Sequence, residues 1–539
     1  MPRFAALDLG SNALRLRIVE AYAPGSREQL SLLPDAASFR EVLSLRAPVR
    51  LGSEVFVTGR LAAASIGQAC AALREFRQAM DDAKVDAYRA TATSAVREAS
   101  NGTTLVERAR REAGIELEVI EGVEEARLIQ LAVVRRLGLS DRRALLVDVG
   151  GGSTELTYLE HGRSAFAISL PMGTVRLLET YLRGAKTVDR ARQKLLFEGV
   201  DRALAEAAPQ LRKLPPFDVV VGTGGSVDTL SELCPIKGGH AGYPRAVDVA
   251  AMRTLLNKLF GLTTDARREE FNLRPDRADT IVPAATIFLR AAELFKATGI
   301  IAPGVGLKEG ILEELVDKHF DRWDKESETR NVVDACIRLG KRYRFDQAHG
   351  ELVAQLAAQL FDDMATFHGL GERDRLLLRA AALLHDIGDF VRYDGHHKHS
   401  YYLIQHSDIM GLTPDERAVV ANVARYHRKS PPDPSHPNFR DLDKEGRSKV
   451  RSLAAILRIA DALDREHLGK VTSVRAEIDT SKRRLMLHLT GDEERELEEW
   501  TVRAKSELLR DVFDLDVHIV GAPARPSWRP EPAAVPASA

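Results

Sequence analysis

One short pattern occurs twice in this chain. Residues 4–19 read F-A-A-L-D-L-G-S-N-A-L-R-L-R-I-V, and residues 144–159 read A-L-L-V-D-V-G-G-G-S-T-E-L-T-Y-L. Each is an apolar strand ending in Asp, then a glycine two residues on, a turn of small residues and a second strand-like run. Asp8 matches Asp148 and Gly10 matches Gly150. A repeat at so long a spacing predicts two similar subdomains facing each other, because solenoid repeats are far shorter. The turns offer backbone N–H groups and hydroxyls, and their glycines let an anion approach closely. Two such loops opposed across a cleft would grip one phosphate chain from both sides.

At 539 residues the chain has room for three or four domains, at about 150 residues each. Its 44% hydrophobic and 29% charged residues are ordinary for a globular protein. No run of ~18 uncharged apolar residues is present, so no membrane span is predicted. The N-terminus enters a strand at once without a signal-peptide pattern, which predicts a cytoplasmic protein. Cys70, Cys234 and Cys336 lie far apart and fit buried small hydrophobes in a reducing compartment. The net charge of −1 gives no whole-protein attraction for a polyanion, so any anion site must be local, and no nucleic-acid partner is expected.

Strand and helix patterns alternate through residues 1–322: hairpin strands at 4–9 and 14–20, a helix over 61–81, strands at 86–93 and 116–120, and a helix closed by Gly138. After Ala144 come helices near 187–212, 248–261 and 277–297 and a strand and turn at 218–227. This mixture is α/β. The segment D-R-W-D-K-E-S-E-T-R-N (321–331) is charged and aperiodic and reads as a boundary. Residues 330–470 read as helical, 471–521 as a small α+β domain with a helix near 492–512, and 522–539 as a disordered Pro/Ala tail.

A third glycine loop, G-T-G-G-S (222–226), follows another apolar strand. One D-x-G-S-N turn is ordinary hairpin chemistry. Three strand-terminal small-residue loops in one α/β region point to phosphate binding. With A-T-A-T-S-A-V-R-E-A-S-N-G (90–102), G-V-E-E-A-R-L-I (122–129) and P-M-G-T-V-R-L (171–177), the chain resembles the exopolyphosphatase/guanosine pentaphosphate phosphatase family of the sugar kinase–Hsp70–actin superfamily. The resemblance implies two actin-like subdomains, 1–143 and 144–322, and an enzyme that cleaves terminal phosphoanhydrides. Its expected substrate is inorganic polyphosphate or, alternatively, guanosine pentaphosphate; a homodimer is also implied. A kinase of the same fold is disfavoured by G-V-E-E-A-R, and a non-hydrolytic sensor by the presence of Glu125. Ala13 departs from the Ser or Thr of many relatives.

By this resemblance Glu125 is the water-orienting base. Asp8, Asp148 and Glu155 are expected to hold Mg²⁺, which keeps much of its hydration shell. Gly10, Ser11, Asn12, Ser94, Arg97, Gly150, Gly151, Gly152, Ser153, Thr154, Gly224 and Gly225 are the expected phosphate ligands. Arg127 reads as structural.

The helical region carries a second constellation: His349, A-A-L-L-H-D-I-G (381–388), H-H-K-H-S (396–400), R-Y-H-R-K (425–429) and R-I-A-D-A-L-D (458–464). This is the order of the HD phosphohydrolase superfamily, and long members of the family carry such a domain. His349, His385, Asp386 and Asp461 are the expected ligands of a further divalent metal, with His399 and His427 available for a second metal or a phosphate. The basic residues from Arg425 to Arg451 would offer a groove for a long polyanion.

Overall fold

The computed structural model describes residues 1–23, 39–320, 325–492 and 494–520, so the expected Pro/Ala tail lies outside them. The chain divides into two compact units, 1–325 and 326–539.

The first unit is built on two mixed sheets. One contains β1 (Arg3–Leu9), β2 (Leu14–Ala21), β3 (Phe39–Ala47), β4 (Ala87–Ala92) and β5 (Leu117–Val119), in the order β3-β2-β1-β4-β5. The other contains β6 (Arg143–Val149), β7 (Thr154–Glu160), β8 (Arg163–Leu170), β9 (Val219–Thr223), β10 (Ala246–Asp248) and β11 (Gly299–Ile301), in the order β10-β11-β9-β6-β7-β8. Each opens with an antiparallel three-strand meander and continues through parallel strands. The duplication extends to register. Asp8 faces Arg15 on β2 and Thr91 on β4; Asp148 faces Glu155 on β7 and Thr223 on β9. β10 is an addition to the second copy.

Strand alternation aims the key residues. On β1, Ala5, Leu7 and Leu9 enter one core with the helices Ala63–Asp82 and Gly102–Ala113. Phe4 and Ala6 enter a central core shared by both sheets. On β6, Leu145, Val147 and Val149 face the helices Arg190–Leu211, Val249–Gly261 and Pro275–Leu294, while Ala144 and Leu146 join the central core. Asp8 and Asp148 continue the inward-facing set of each strand, at its last inward position. Both halves therefore present a carboxylate to the space between them.

In the second unit, the helices Gln347–Asp363, Glu372–Leu384, His396–Gln405, Pro414–Arg425 and Lys444–Ala462 precede a three-stranded sheet. That sheet runs β12 (Val471–Asp479), β13 (Arg484–Gly491) and β14 (Asp516–Ile519), with β13 and β14 parallel. The crossover expected as one helix is two, Glu496–Lys505 and Glu507–Phe513, divided at Ser506. A helix, Lys325–Arg342, also takes in residues 325–331 of the segment expected to be a boundary. Its apolar face starts only at Val332, so its charged first turns carry no periodicity to read. All three cysteines are buried and free.

Candidate active site

The two repeated turns close in the same way: the Gly10 N–H donates to Ala13 O at 3.2 Å, and the Gly150 N–H to Ser153 O at 3.0 Å. They abut. A methyl group on Gly151 would lie 2.8 Å from Ser11 Cβ, so only glycine allows this approach. Ser11 Oγ sits 3.0 Å from Ser94 Oγ, tying the first loop to the helix after β4. Gly224 has φ +88°, and a Cβ there would stand 2.6 Å from Val149 O. These loops wall a cleft of about 500 Å³ whose lining includes Asp8, Gly10, Ser11, Asn12, Ser94, Glu125, Asp148, Gly150, Gly151, Ser153, Gly224 and Gly225.

Beside the loops lie three buried carboxylates. One oxygen each of Glu125, Asp148 and Glu155 fall within 4.8 Å of one another. Glu125 stands in the first turn of the helix Gly122–Leu137, and Asp148 and Glu155 are cross-strand partners. Thr223 donates to Asp148 at 2.5 Å and Ser169 to Glu155 at 2.7 Å. Glu125 Oε2 and Glu155 Oε2 are buried without a hydrogen-bond partner. Burial, joined by the Glu155 and Asp148 charges, pushes Glu125 well above the usual carboxylate range. Burial also lifts Glu155, to about 7, and Asp148, to about 6. Three hard-oxygen donors whose ionised forms are penalised by burial and mutual repulsion form a group that could hold a divalent cation. Asp8 lines the same cleft but is ion-paired to Arg15 at 3.2 Å.

Other expected ligands fall elsewhere. Arg97 donates to the Ile120 carbonyl at 2.6 Å and does not line the cleft. The Thr154 hydroxyl donates to Met172 O, because Thr154 begins β7 rather than ending the loop. Gly152 is packed against Phe56 and Ser94. The cations lining the cleft are ones the sequence reading passed over: Arg15, Arg46, Arg274, Arg277 and Lys308. Arg277 is buried, donates to Ser226 Oγ, and has its pKa lowered to about 10 by burial and by Arg15. The one sequence signal of these cations is R-L-R on β2, which shows charge but not its register against Asp8. Arg127, expected to be structural, ion-pairs with Glu124 and Glu314.

In the second unit, His349, His385, Asp386 and Asp461 converge. His349 Nε2 is 3.2 Å from His385 Nε2, and His385 Nε2 is 3.5 Å from one oxygen each of Asp386 and Asp461. The other Asp386 oxygen lies 3.5 Å from His427 Nε2 and 3.1 Å from His396 Nε2. His396, not the expected His399, completes this group. Its helix begins at His396 and buries it, while His399, three residues on, is only half-buried. The expected basic groove is also reduced: Lys449 pairs with Asp374 and Glu445, and Arg447 donates to the carbonyls of Arg440 and Leu442.

The family model of the Ppx/GppA phosphatase family matches residues 34–319, more than half the chain, and that of Ppx/GppA phosphatase domain III matches residues 333–507. The chain belongs to the Ppx/GppA phosphatase family. It is therefore a phosphoanhydride hydrolase, and the two mixed sheets of its first unit repeat one strand pattern. Similar proteins include the guanosine-5'-triphosphate,3'-diphosphate pyrophosphatase of Aeromonas hydrophila, 28% identical, with 85% of this chain and 87% of the relative covered. The enzyme of the same name from Vibrio campbellii is 28% identical over 79% of this chain and 81% of the relative. Among solved structures, an exopolyphosphatase from Cytophaga hutchinsonii shares the Ppx/GppA fold. It has a TM-score of 0.51 and 24% identity, and the match covers 59% of this chain and 98% of that one. No helix among the described residues is long and apolar enough to cross a membrane.

Proposed function

We infer that the cleft removes terminal phosphates from inorganic polyphosphate, with Glu125 as the base that orients and deprotonates the attacking water. The observation that carries this is the Glu125 carboxylate: buried, with one oxygen unpartnered, beside two abutting phosphate-type loops. A base of raised pKa accepts a proton more readily once it is ionised. The N–H groups and hydroxyls of Ser11, Asn12, Gly151 and Ser153 face the anion, and Arg15 and Arg277 add charge. Asp148 and Glu155, with Asp8 in the lining of the same cleft, fit Mg²⁺ by donor type, and one Glu155 oxygen is buried without a hydrogen-bond partner. When bound, the ion would neutralise phosphate charge.

A second substrate, guanosine pentaphosphate, is supported at least as well, because the curated relatives carry that activity in their name. Phosphate release from both substrates by wild type and Glu125→Gln, with Mg²⁺, decides between them. We expect the variant to lose about 10²–10⁴-fold on whichever substrate the wild type cleaves. Release from the nucleotide alone would select the second reading. Binding of either without release by wild type would replace both readings with a sensor. We read the helical unit as HD-type from its His/Asp order and convergence, and the protein as a cytoplasmic homodimer by family resemblance.

A further inference from the structure

Behind the two phosphate-type loops, outside the cleft lining, stand two arginines with matching bonds. Arg50 follows β3, in the half built on the first sheet. Its Nε donates to Asn12 Oδ1 at 2.8 Å, and its terminal nitrogens donate to the two Asp279 oxygens at 2.8 and 3.2 Å. Asp279 stands near the start of the helix Pro275–Leu294, in the half built on the second sheet. Arg176, in the short helix Thr174–Leu177 after β8, repeats the arrangement with the halves exchanged. Its Nε donates to the Gly152 carbonyl at 2.7 Å, and its Nη2 to the Glu98 oxygens at 2.6 and 2.7 Å. Glu98 ends the helix Ser94–Glu98, which follows β4 of the first sheet. The Arg176 guanidinium also lies 4.1 Å from the centre of the Phe56 ring, again in the first half.

A guanidinium only donates, so each arginine takes up an acceptor of its own loop. The Asn12 amide must turn its oxygen to Arg50, which leaves its NH2 group on the opposite branch, and Asn12 lines the cleft. The peptide bonds are trans, so the Ser153 N–H points opposite to the Gly152 carbonyl and away from Arg176; Ser153 lines the cleft too. Without the arginines, either oxygen would be free to turn to an anion and repel it. The remaining guanidinium nitrogens reach a carboxylate of the other half. These two ion pairs stay partly open to water, with 25% of each side chain exposed at Arg50–Asp279 and 39% at Glu98. Each is therefore weak by itself and breaks readily.

We propose that Arg50 and Arg176 are positioning residues that set the two loops for phosphate only while the halves are closed on each other. The proposal rests on the reading of the cleft as the phosphoanhydride site. When the halves part, Asp279 and Glu98 withdraw, and each guanidinium loses the partner that fixes its plane. The Asn12 amide and the Gly152 carbonyl are then released together. Because each strap crosses from one half to the other, closure and the order of both loops are one event. A phosphate chain held by both loops favours the closed form, so the donors are in place when substrate is bound and slack when it is not.

The test uses the full chain with Asp279→Asn and, separately, Glu98→Gln. Each removes one carboxylate across the cleft and leaves both arginines and both loops intact. Hydrogen exchange read by mass spectrometry follows the two loops. We expect either variant to speed exchange roughly tenfold in both loops, the one behind the altered strap and the one opposite. Raising salt should speed exchange in both loops of the wild type, because the pairs are exposed to screening; this measurement needs no variant to fold. Phosphate release with Mg²⁺ is followed on whichever of polyphosphate and guanosine pentaphosphate the wild type cleaves, and kcat/KM should fall roughly tenfold in either variant. Faster exchange confined to the loop beside the altered pair would make each arginine a local brace and overturn the proposal. Wild-type loops indifferent to salt, or release unchanged in both variants, would overturn it too. A wild type that cleaves neither substrate fails the reading of the cleft instead, and exchange still decides the straps.

Discussion

Gly151 has no space for even a methyl group, since its Cβ would collide with Ser11 Cβ. Gly151→Ala should push the two loops apart, costing about 1–3 kcal/mol and at least tenfold in phosphate release; thermal melts and phosphate assays check both. The neighbouring acids make a second prediction. Glu155 and Asp148 have folded pKa values of about 7 and about 6, raised from 4.5 and 3.8 mainly by burial. A carboxyl raised on folding stabilises while it stays protonated, and that stability is lost as pH climbs through its folded pKa. With chelator, the melting temperature should fall between about pH 4 and 7, and Mg²⁺ should restore it by an increment that grows with pH. An increment independent of pH would remove these carboxylates from the cation site. At this scale Glu125 was reached only through the family resemblance of G-V-E-E-A-R, whereas the sequence was legible where chemistry is local, as in the D-x-G turns. Arg277 was not, because a helix arginine becomes a cleft residue only through tertiary packing. His396 lost out to His399 because H-H-K-H offers several histidines, and the start of the helix decides which one is buried.

The helix Gly122–Leu137 carries Glu125 and is anchored one residue earlier. Glu124, Arg127, Arg89 and Glu314 form a buried network, joining this helix to β4 and to the helix Leu307–His319. Burial alone would raise Glu314, but Arg127, Arg89 and Lys318 outweigh it and hold it at about 2. Its contribution is fully present above pH 4.5 and is lost as pH falls from there through about 2. Glu314→Ala removes the carboxylate shared by two buried guanidinium groups. It should cost about 3–5 kcal/mol and lower kcat, because the turn that aims Glu125 loses its anchor. A melt unchanged at neutral pH would contradict this. The hairpins and long helices followed the period of their apolar residues. The start of the helix Lys325–Arg342 did not, because its first turns carry charge instead of a buried face.

The whole molecule divides into two compact units. Calorimetry should therefore resolve two unfolding transitions rather than one. Glu314→Ala should move only the transition of the first unit, and Mn²⁺ only those transitions whose native state binds it. The duplication behind the first unit was legible from the repeated D-x-G turns. Its imperfection was not, since the register that sets Arg15 beside Asp8 and Glu155 beside Asp148 exists only in the folded sheets. Two identical halves would give the cleft two equivalent ends. Here the chain path is repeated while one charge is inverted, and that inversion gives the cleft a pole. A phosphate at one end would sit beside the Arg15 guanidinium, and at the other beside a carboxylate pair that calls for a cation, so the two ends are not interchangeable.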